Sequence, residues 1–588
     1  MERGGASRLL LMIAMGLLTY FAFTKCNGEK KHEPQPLGRE FRDAPKTRVE
    51  AKTCDLWTPQ FRASFSTHGA SLTRYELLTA KYRKHDHGLD LATAQYEFRR
   101  SLRFHWRQAS AHDLGGPPWQ FDVDTVDWTI VKNDGKTCEF SYEADGVKLT
   151  KTLATTDRPY EIQATGRIEN TAKDARRHAL TIETTEWRTE AEVKGHMFRQ
   201  SPFVTHVECI DQGEKATRLH ESDFEPSDFE DPPFQKNPLN DGDWYQVAGE
   251  PAVAAVSNYY FSHAIAPTNS AQKPVCQLQI EEWPADADHE KGAMYRARLA
   301  YPVTNLDPGK SAEYSVLSYI GPKDSALLAA AGGGNHKFSE LPDLGFFAVI
   351  AKLLVAFLFK VHSVIPNWGV AIIILTITAR VLLFPLNVPM IKNSLKMREL
   401  KPEMDALNEK YKDDAQAKGL AQMELWRKHN VNPFKGCLPQ MASMPVWFAL
   451  YTTLQHAVEL YNIKFLWFPD LTEPDPYFIL PFIIGAVFFV QQKVAPQQAT
   501  DPAQQKMMLY FMPAMFTVFM LFLPAGLGVY MFTNSLLGIA QQQIIERRAK
   551  RKVADAQGTM PNVPNDAKTS EKSEKKIQEP SLFGKGKA

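Results

Sequence analysis

A single arginine inside an apolar run is the residue whose type and position carry the clearest chemical meaning. Arg380 lies between the apolar stretches 371–375 and 381–384. A guanidinium at the centre of a membrane-spanning helix costs about 2.5–3.5 kcal/mol on insertion scales. Such a charge either snorkels to the surface as a stop signal or faces a hydrated cavity in a helix bundle. Thr376 lies one turn earlier on the same helical face, and we expect it to extend a polar stripe toward Arg380.

Polar side chains also occur in two later apolar segments, again clustered toward one end. Gln440 and Ser443 lie in the segment 438–458, and Asn534 lies in the segment 527–545. A channel needs a continuous polar lining, whereas the remaining halves of these segments are mostly apolar. This distribution favours a groove that opens to one side of the membrane and to lipid.

The sequence lacks the usual motifs of catalysis and cofactor binding. It contains no phosphate-binding loop, no nucleophile elbow and no HExxH zinc motif. The run His85-Asp86-His87 offers two imidazoles, but no further ligand is identifiable and its flanks are typical of a loop. Glu281-Glu282 and the acidic stretch 221–231 are interpreted as solvated faces. We therefore expect no cofactor, no metal and no enzymatic activity.

Six cysteines are present, and none forms a CxxC pair, which disfavours a zinc or redox site. Cys54, Cys138, Cys209 and Cys276 fall in the polar half of the chain at wide spacing. These four cysteines can form one or two disulfide bonds if that half of the chain lies outside the cytoplasm. We favour isolated buried thiols, because free cysteine is among the most buried residue types.

The chain has two unlike halves, and these supply the elements that position the residues above. The protein has 588 residues and a formal net charge of +1, which excludes a basic protein that coats nucleic acid. Residues 1–340 are mostly polar after an apolar start, whereas 344–545 carry several apolar runs of membrane length. The sequence therefore predicts a membrane-anchored protein with a large water-exposed domain.

Membrane topology is predicted from the distribution of Lys and Arg. Residues 1–26 have the pattern of an uncleaved signal anchor with its amino terminus inside, and a cleaved signal is the alternative. The loop 388–436 contains ten Lys/Arg and the tail 546–588 contains eleven, whereas 460–476 contains one. The positive-inside rule therefore places the first two in the cytoplasm and the third outside. The five further predicted spans are 368–386, 438–458, 477–490, 507–523 and 527–545.

One further apolar segment, within 343–363, does not fit this topology as a span. If it crossed the membrane, the strongly basic loop 388–436 would lie outside. We therefore predict that 343–363 is an interfacial amphipathic helix. The membrane core then covers 364–545, and both termini lie inside.

The polar half is predicted to be a β-sandwich. In 160–168, positions 160, 162, 164 and 168 share one apolar face, and Leu180 and Ile182 repeat this period of two. Turn signals such as Asn133-Asp-Gly135 separate the runs. We expect an antiparallel β-domain at 55–320, preceded by a linker at 27–54 and followed by a flexible joint at 321–342.

The basic loop 388–436 is predicted to form a helical hairpin. Five apolar residues repeat at heptad spacing: Met397, Leu400, Met404, Leu407 and Tyr411. We expect a turn over 413–419, after which Leu420, Met423 and Trp426 pack back from a second helix.

Residues from about 340 to 548 resemble the YidC-type membrane protein insertases of Gram-negative bacteria. The motifs that carry the resemblance occur in the family's order and spacing. They are Trp368-Gly369 with Arg380, Asn432-Pro433, Gly436-Cys437-Leu438-Pro439, Met444-Pro445, Asp501-Pro502, Phe511-Met512-Pro513, Pro524-Ala525-Gly526-Leu527 and Gln541-Gln-Gln543.

The resemblance implies a multi-domain membrane protein with a periplasmic antiparallel β-supersandwich, an α-helical core of five spans and an N-terminal anchor span. It implies a positively charged groove lined by Arg380 and Thr376. The family often has two adjacent tyrosines where this chain has Tyr530-Met531, so these two are carried over as a contact surface only.

The resemblance also implies the partners and the location. The partners would be nascent membrane proteins, the Sec translocon, the ribosome and the phospholipid bilayer, with no specific nucleic acid sequence. The protein would lie in the inner membrane with both termini cytoplasmic. A transporter or channel and a membrane-tethered periplasmic enzyme are the alternative classes.

Overall fold

The structure is a computed structural model that describes residues 48–558 with internal gaps. The gaps are 85–86, 95, 111–120, 124–125, 145, 195–200, 225–233, 237–242, 269–271, 284, 286–289, 346–347, 413, 430–447 and 495–505. The predicted anchor at 1–26, most of the linker and the tail from 559 onward therefore lie outside the described residues.

The amino-terminal half is a β-domain. Its strands in chain order are β1 (Thr53–Trp57), β2 (Phe61–Ser66), β3 (Leu72–Leu77), β4 (Arg83–Lys84), β5 (His87–Asp90), β6 (Arg103–Ser110), β7 (Phe121–Val123), β8 (Thr129–Asn133), β9 (Thr137–Ala144), β10 (Val147–Thr155), β11 (Glu161–Asn170), β12 (Arg176–Thr189), β13 (His206–Asp211), β14 (Ala216–Leu219), β15 (Phe234–Lys236), β16 (Asp243–Val247), β17 (Pro251–Ser257), β18 (Phe261–Pro267), β19 (Val275–Trp283), β20 (Gly292–Ala300), β21 (Thr304–Leu306) and β22 (Ser311–Pro322).

Within the described ranges these strands form three sheets, and the paired strands run antiparallel. The orders are β1-β2-β3-β5-β4, then β14-β13-β17-β18-β22-β11-β10-β9-β8, and β15-β16-β19-β20-β12-β6-β7 with β21 beside β12. In β11, Ile162, Ala164 and Ile168 are buried in the core of the domain. The period of two therefore puts alternate apolar side chains inside, and the predicted antiparallel β-domain is confirmed.

Two disulfide bonds link strands within the β-domain. Cys54 is bonded to Cys138, and Cys209 is bonded to Cys276. The prediction of isolated thiols is therefore wrong. Each pair is brought together by strands that are far apart in sequence, with separations of 84 and 67 residues, and sequence spacing alone gives no sign of this proximity.

The carboxyl-terminal half is helical. Its helices, together with two shorter ones attached to the β-domain, are α1 (Glu190–Val193), α2 (Ser325–Ala330), α3 (Ala348–Val364), α4 (Trp368–Leu382), α5 (Phe384–Glu399), α6 (Lys401–Lys410), α7 (Ala415–Lys428), α8 (448–456), α9 (Ile479–Val494), α10 (Met512–Met520) and α11 (Ala525–Gly558). A π-helical turn, Met507–Phe511, leads into α10. None of the described helices combines the length and the apolar character needed to cross a bilayer.

The segment 321–342 is folded onto the β-domain. It contains α2, and Leu328 and Phe338 are buried in the same apolar core as the strands. The glycines 332–334 adopt positive φ angles, which only glycine accepts readily. The expectation of a flexible joint is therefore wrong, because this glycine run is required by a tight turn.

The basic loop forms a helical hairpin from α6 and α7. Leu400 and Met404 of the predicted seam are buried, and Met397, Leu407 and Tyr411 are half-buried. Across the hairpin, the Gln422 side-chain amide donates to Asn408 Oδ1 (2.9 Å).

The turn of the hairpin is shorter than predicted, which changes the packing face of α7. Asp414 caps this helix by accepting from the backbone N–H groups of Gln416 and Ala417 (both 3.0 Å), so α7 begins at Ala415. As a result Leu425 is buried, whereas Leu420 and Met423 are exposed. The prediction that Leu420 and Met423 pack back is wrong.

The chain after α8 docks on the β-domain through residues 459–462. Lys81 Nζ donates to the backbone carbonyl of Glu459 (3.1 Å), and Asn462 Nδ2 donates to the backbone carbonyl of Lys81 (3.1 Å). The Glu459 carboxylate accepts from the backbone N–H of Ser325 at the start of α2 (3.2 Å). Glu459 is 5% exposed, so this contact, called the docking contact below, buries an acidic side chain between the two halves.

Candidate functional site

The candidate site is the surface between α4 and α11 around Arg380. Asn367 caps α4 by accepting from the backbone N–H of Val370 (3.0 Å). The apolar residues Ala371, Ile372 and Leu375 pack into the helical core. Arg380 lies in the last turn of α4, where the negative end of the helix dipole favours a cation.

Amide groups of α11 hold the guanidinium of Arg380. Its Nε donates to Asn534 Oδ1 (2.6 Å), its Nη2 donates to the Asn534 backbone carbonyl (2.9 Å), and its Nη1 lies 3.5 Å from Gln541 Oε1. In the described part of the chain, Arg380 has no carboxylate within ion-pairing distance. The sequence predicted either a stop signal at the membrane surface or a hydrated cavity, and the structure shows neutral amide oxygens of a neighbouring helix around Arg380.

Thr376 lies one turn before Arg380 and is buried. Its hydroxyl donates to the backbone carbonyl of Ile372 in its own helix (2.7 Å). This bond is common for threonine within helices and leaves only the hydroxyl lone pairs for another group.

Two further predicted residues lie on α11 with Asn534. Tyr530 is four residues before Asn534 and therefore on the same face, and Met531 follows it; both are buried. Gln440 and Ser443 lie outside the described residues. The structure therefore brings Arg380 and Asn534 into direct contact and places Tyr530 one turn further along.

Sequence reasoning missed three residues in the neighbourhood of Arg380. Gln541 approaches it from α11, Gly538 lies next to its guanidinium, and Gln491 lies next to Gly538. The signal was present in the sequence, because 530, 534, 538 and 541 fall on one face of a helix with 3.6 residues per turn. Gln491 lies on α9 and carries no such signal.

The other chemical candidates of the sequence do not form a second site in the described residues. No group of three or more metal-binding side chains is found there. Glu281 binds Arg99 (Nε–Oε2 3.0 Å), so it is a structural ion pair rather than a solvated face. The side chains of His85 and Asp86 lie outside the described residues.

Two known families match the chain, one to each half. The family described as the YidC periplasmic domain matches residues 53–357, and the family described as the 60Kd inner membrane protein matches residues 360–552. These matches define the class: inner-membrane proteins that carry a periplasmic domain.

Relatives of similar length narrow the class further. Membrane protein insertase YidC of Anaeromyxobacter dehalogenans is 34% identical over 523 residues, which is 86% of this chain and 87% of the relative. The protein of the same description from Burkholderia cenocepacia is 32% identical over 424 residues, or 71% of each chain. The chain therefore belongs to the YidC family of membrane protein insertases, which is not an enzyme family.

A solved structure also matches along most of its length. It is described as an active YidC insertase with its first transmembrane domain resolved. It is 15% identical, covers 91% of this chain and 98% of its own, and has a TM-score of 0.34.

Proposed function

We propose that the protein inserts nascent membrane proteins into the inner membrane through a hydrophilic, positively charged groove around Arg380. The observation that carries this proposal is a guanidinium held by Asn534 between α4 and α11, without a carboxylate partner in the described residues. No ion pair among the described residues therefore cancels its charge. It is available to a polar or acidic segment of a client protein.

The mechanism follows from the physics of the bilayer. A client segment with polar flanks must cross about 30 Å of hydrocarbon. A wet groove with a cation shortens the dry part of this path and attracts acidic residues of the translocated tail. The apolar helix of the client then moves sideways into lipid, driven by burial of its apolar surface.

The topology that suits this mechanism has five core spans, an N-terminal anchor span and cytoplasmic termini, with the β-domain in the periplasm. Helix α3 would lie along the outer membrane surface. In support, its Val349, Leu353 and Val364 side chains are exposed in the structure, as expected for a helix that faces lipid headgroups and acyl chains.

The cytoplasmic hairpin and the basic tail are proposed to receive clients. Both are rich in Lys and Arg and carry a net positive charge in sequence, which suits ribosomal RNA, anionic lipid and acidic targeting factors. In this proposal the protein acts alone or with the Sec translocon, and it also acts as a chaperone during folding and assembly of its clients.

The test is insertion of two matched single-span clients into proteoliposomes, one with an acidic and one with a neutral translocated tail. Arg380→Ala is expected to lower insertion of the acidic client about tenfold, which corresponds to losing one charge-assisted interaction, and to spare the neutral client. If Arg380→Ala and the native protein insert both clients equally, the charge has no role and the stop-signal interpretation is correct.

A further inference from the structure

Three carboxamide side chains lie near Arg380 or the adjacent Gly538, and we call them the amide cradle. Asn534 and Gln541 belong to α11, and Gln491 belongs to α9. Asn534 accepts hydrogen bonds from Arg380 with both its side-chain oxygen and its backbone oxygen. The remaining two amides have hydrogen-bonding capacity to spare.

Gly538 keeps the space in the cradle open. A Cβ at this position would lie 3.1 Å from Arg380 Nη2 and 3.4 Å from Gln491 Nε2. The distance to Arg380 is tighter than ordinary contact and the distance to Gln491 is ordinary contact, so a larger side chain here would press on Arg380 first. The glycine therefore allows the arginine of α4 and the glutamine of α9 to approach the same point on α11.

One donor and one acceptor of the cradle have no partner among the described residues. Gln541 Nε2 and Gln491 Oε1 are both buried and make no hydrogen bond there. Gln541 is 8% exposed, and its Oε1 faces Arg380, which orients the amide so that its N–H group is the unused one. Buried polar groups without partners are rare in proteins and call for an explanation.

A polypeptide backbone fits this pair better than an acidic side chain does. A peptide group has one N–H donor and one C=O acceptor, which match Gln491 Oε1 and Gln541 Nε2. A carboxylate can only accept, so it would satisfy Gln541 and Arg380 but would leave the Gln491 oxygen unpaired and facing negative charge.

We propose that Gln541 and Gln491 bind the backbone of the translocating client segment beside Arg380. This inference rests on the proposed groove and adds the chemical group that the groove recognises. Arg380 then discriminates clients by charge, whereas the amide cradle holds any polar segment whatever its side chains are.

The experiment uses proteoliposomes that contain the full-length protein. It compares three clients, whose translocated tails are acidic, neutral polar or very short. Gln541→Leu and Gln491→Leu keep the side-chain size and remove the hydrogen bonds. Each is expected to lower insertion of the acidic and neutral polar clients alike by about threefold to tenfold, as for the loss of one hydrogen bond. The short-tailed client should be inserted normally, which shows that the variants are folded.

Gln543→Leu is the matched control, because Gln543 lies two residues away on an exposed face of the same helix. It should insert all three clients normally. A photoreactive residue at 541 should crosslink to a stalled client, and the same residue at 543 should not.

Two outcomes would overturn the proposal. If Gln541→Leu impairs the acidic client only, Gln541 acts by positioning Arg380 and not by binding backbone. If neither variant changes insertion, the two amides are satisfied by water alone. Arg380→Ala separates this from failure of the groove itself, because it tests charge selection while both Gln541 and Gln491 are retained.

Discussion

Arg380 is solvated by oxygens of neutral amides, which stabilise a guanidinium without removing its charge. Three of its N–H groups face Asn534 and Gln541. A carboxylate in the same place would bind more strongly, but it would also cancel the field that an acidic client segment experiences. In the proposed mechanism, an amide rather than an acid at this position therefore keeps the charge of Arg380 available to acidic clients.

This reasoning makes a prediction for Asn534→Asp, which has nearly the same shape. The new carboxylate would pair with Arg380 and neutralise it, so insertion of acidic clients should fall to the level of Arg380→Ala. The protein should remain as abundant and as stable as the native one. Insertion assays with the acidic and neutral clients check this, and normal insertion of the acidic client by a stable variant would contradict it.

At the scale of elements, protonation of Glu459 controls the strength of the docking contact. Burial of Glu459, together with the nearby charge of Asp324, raises its pKa to about 7. The docked state therefore binds a proton more tightly than the separated state. Docking is strongest below the ordinary pKa of a glutamate and weakens as the pH rises through about 7.

The predicted size of this effect is about 3 kcal/mol between pH 4.5 and pH 7.5. Lys323, beside the contact, has its pKa lowered by burial to about 8, so it stays mostly protonated through most of this window. Glu459→Gln should remove the pH-dependent loss, because glutamine stays neutral. Melting of both proteins at pH 5 and pH 7.5 tests this, and parallel pH profiles would show that Glu459 does not control docking.

The sequence predicted elements well where one physical signal dominated. The strand period of two located the buried face of β11, and two of the residues at heptad spacing, Leu400 and Met404, are buried. The buried face of α7 was not predicted, because it depends on where the helix begins. Asp414 starts the helix before the expected end of the turn, and this shift buries Leu425 in place of Leu420.

The contacts of the site were harder to predict than its residues. Arg380 is visible in the sequence because a charge in an apolar run is costly. Its partners Asn534 and Gln541 lie more than 150 residues away, and no local pattern links them to it. The pairing of the four β-domain cysteines is hidden for the same reason.

At the scale of the whole molecule, the disulfides stabilise one half of the protein only. Both lie within the β-domain, and each closes a long loop that would otherwise be free in the unfolded chain. Replacing either pair by Ala should lower the stability of the β-domain by about 2–5 kcal/mol. The helical half should be unaffected.

Hydrogen exchange of the two halves, measured in the same sample, checks this prediction. Exchange should become faster in the β-strands near Cys54 or Cys209 and should stay unchanged in α9 and α11. Equal acceleration in both halves would show that the two fold as one cooperative unit.

Helix α11 is a continuous rod of 34 residues without proline, about 50 Å long. Its first turn is fixed to the preceding loop, because Ala525 N–H donates to the Glu473 carbonyl and Gly526 N–H donates to the Leu471 carbonyl (both 2.8 Å). Its middle carries the amide partners of Arg380, and its far end carries basic residues. Because the first turn is held in place, a rotation of the basic end about the helix axis would also rotate Asn534 and Gln541 relative to Arg380.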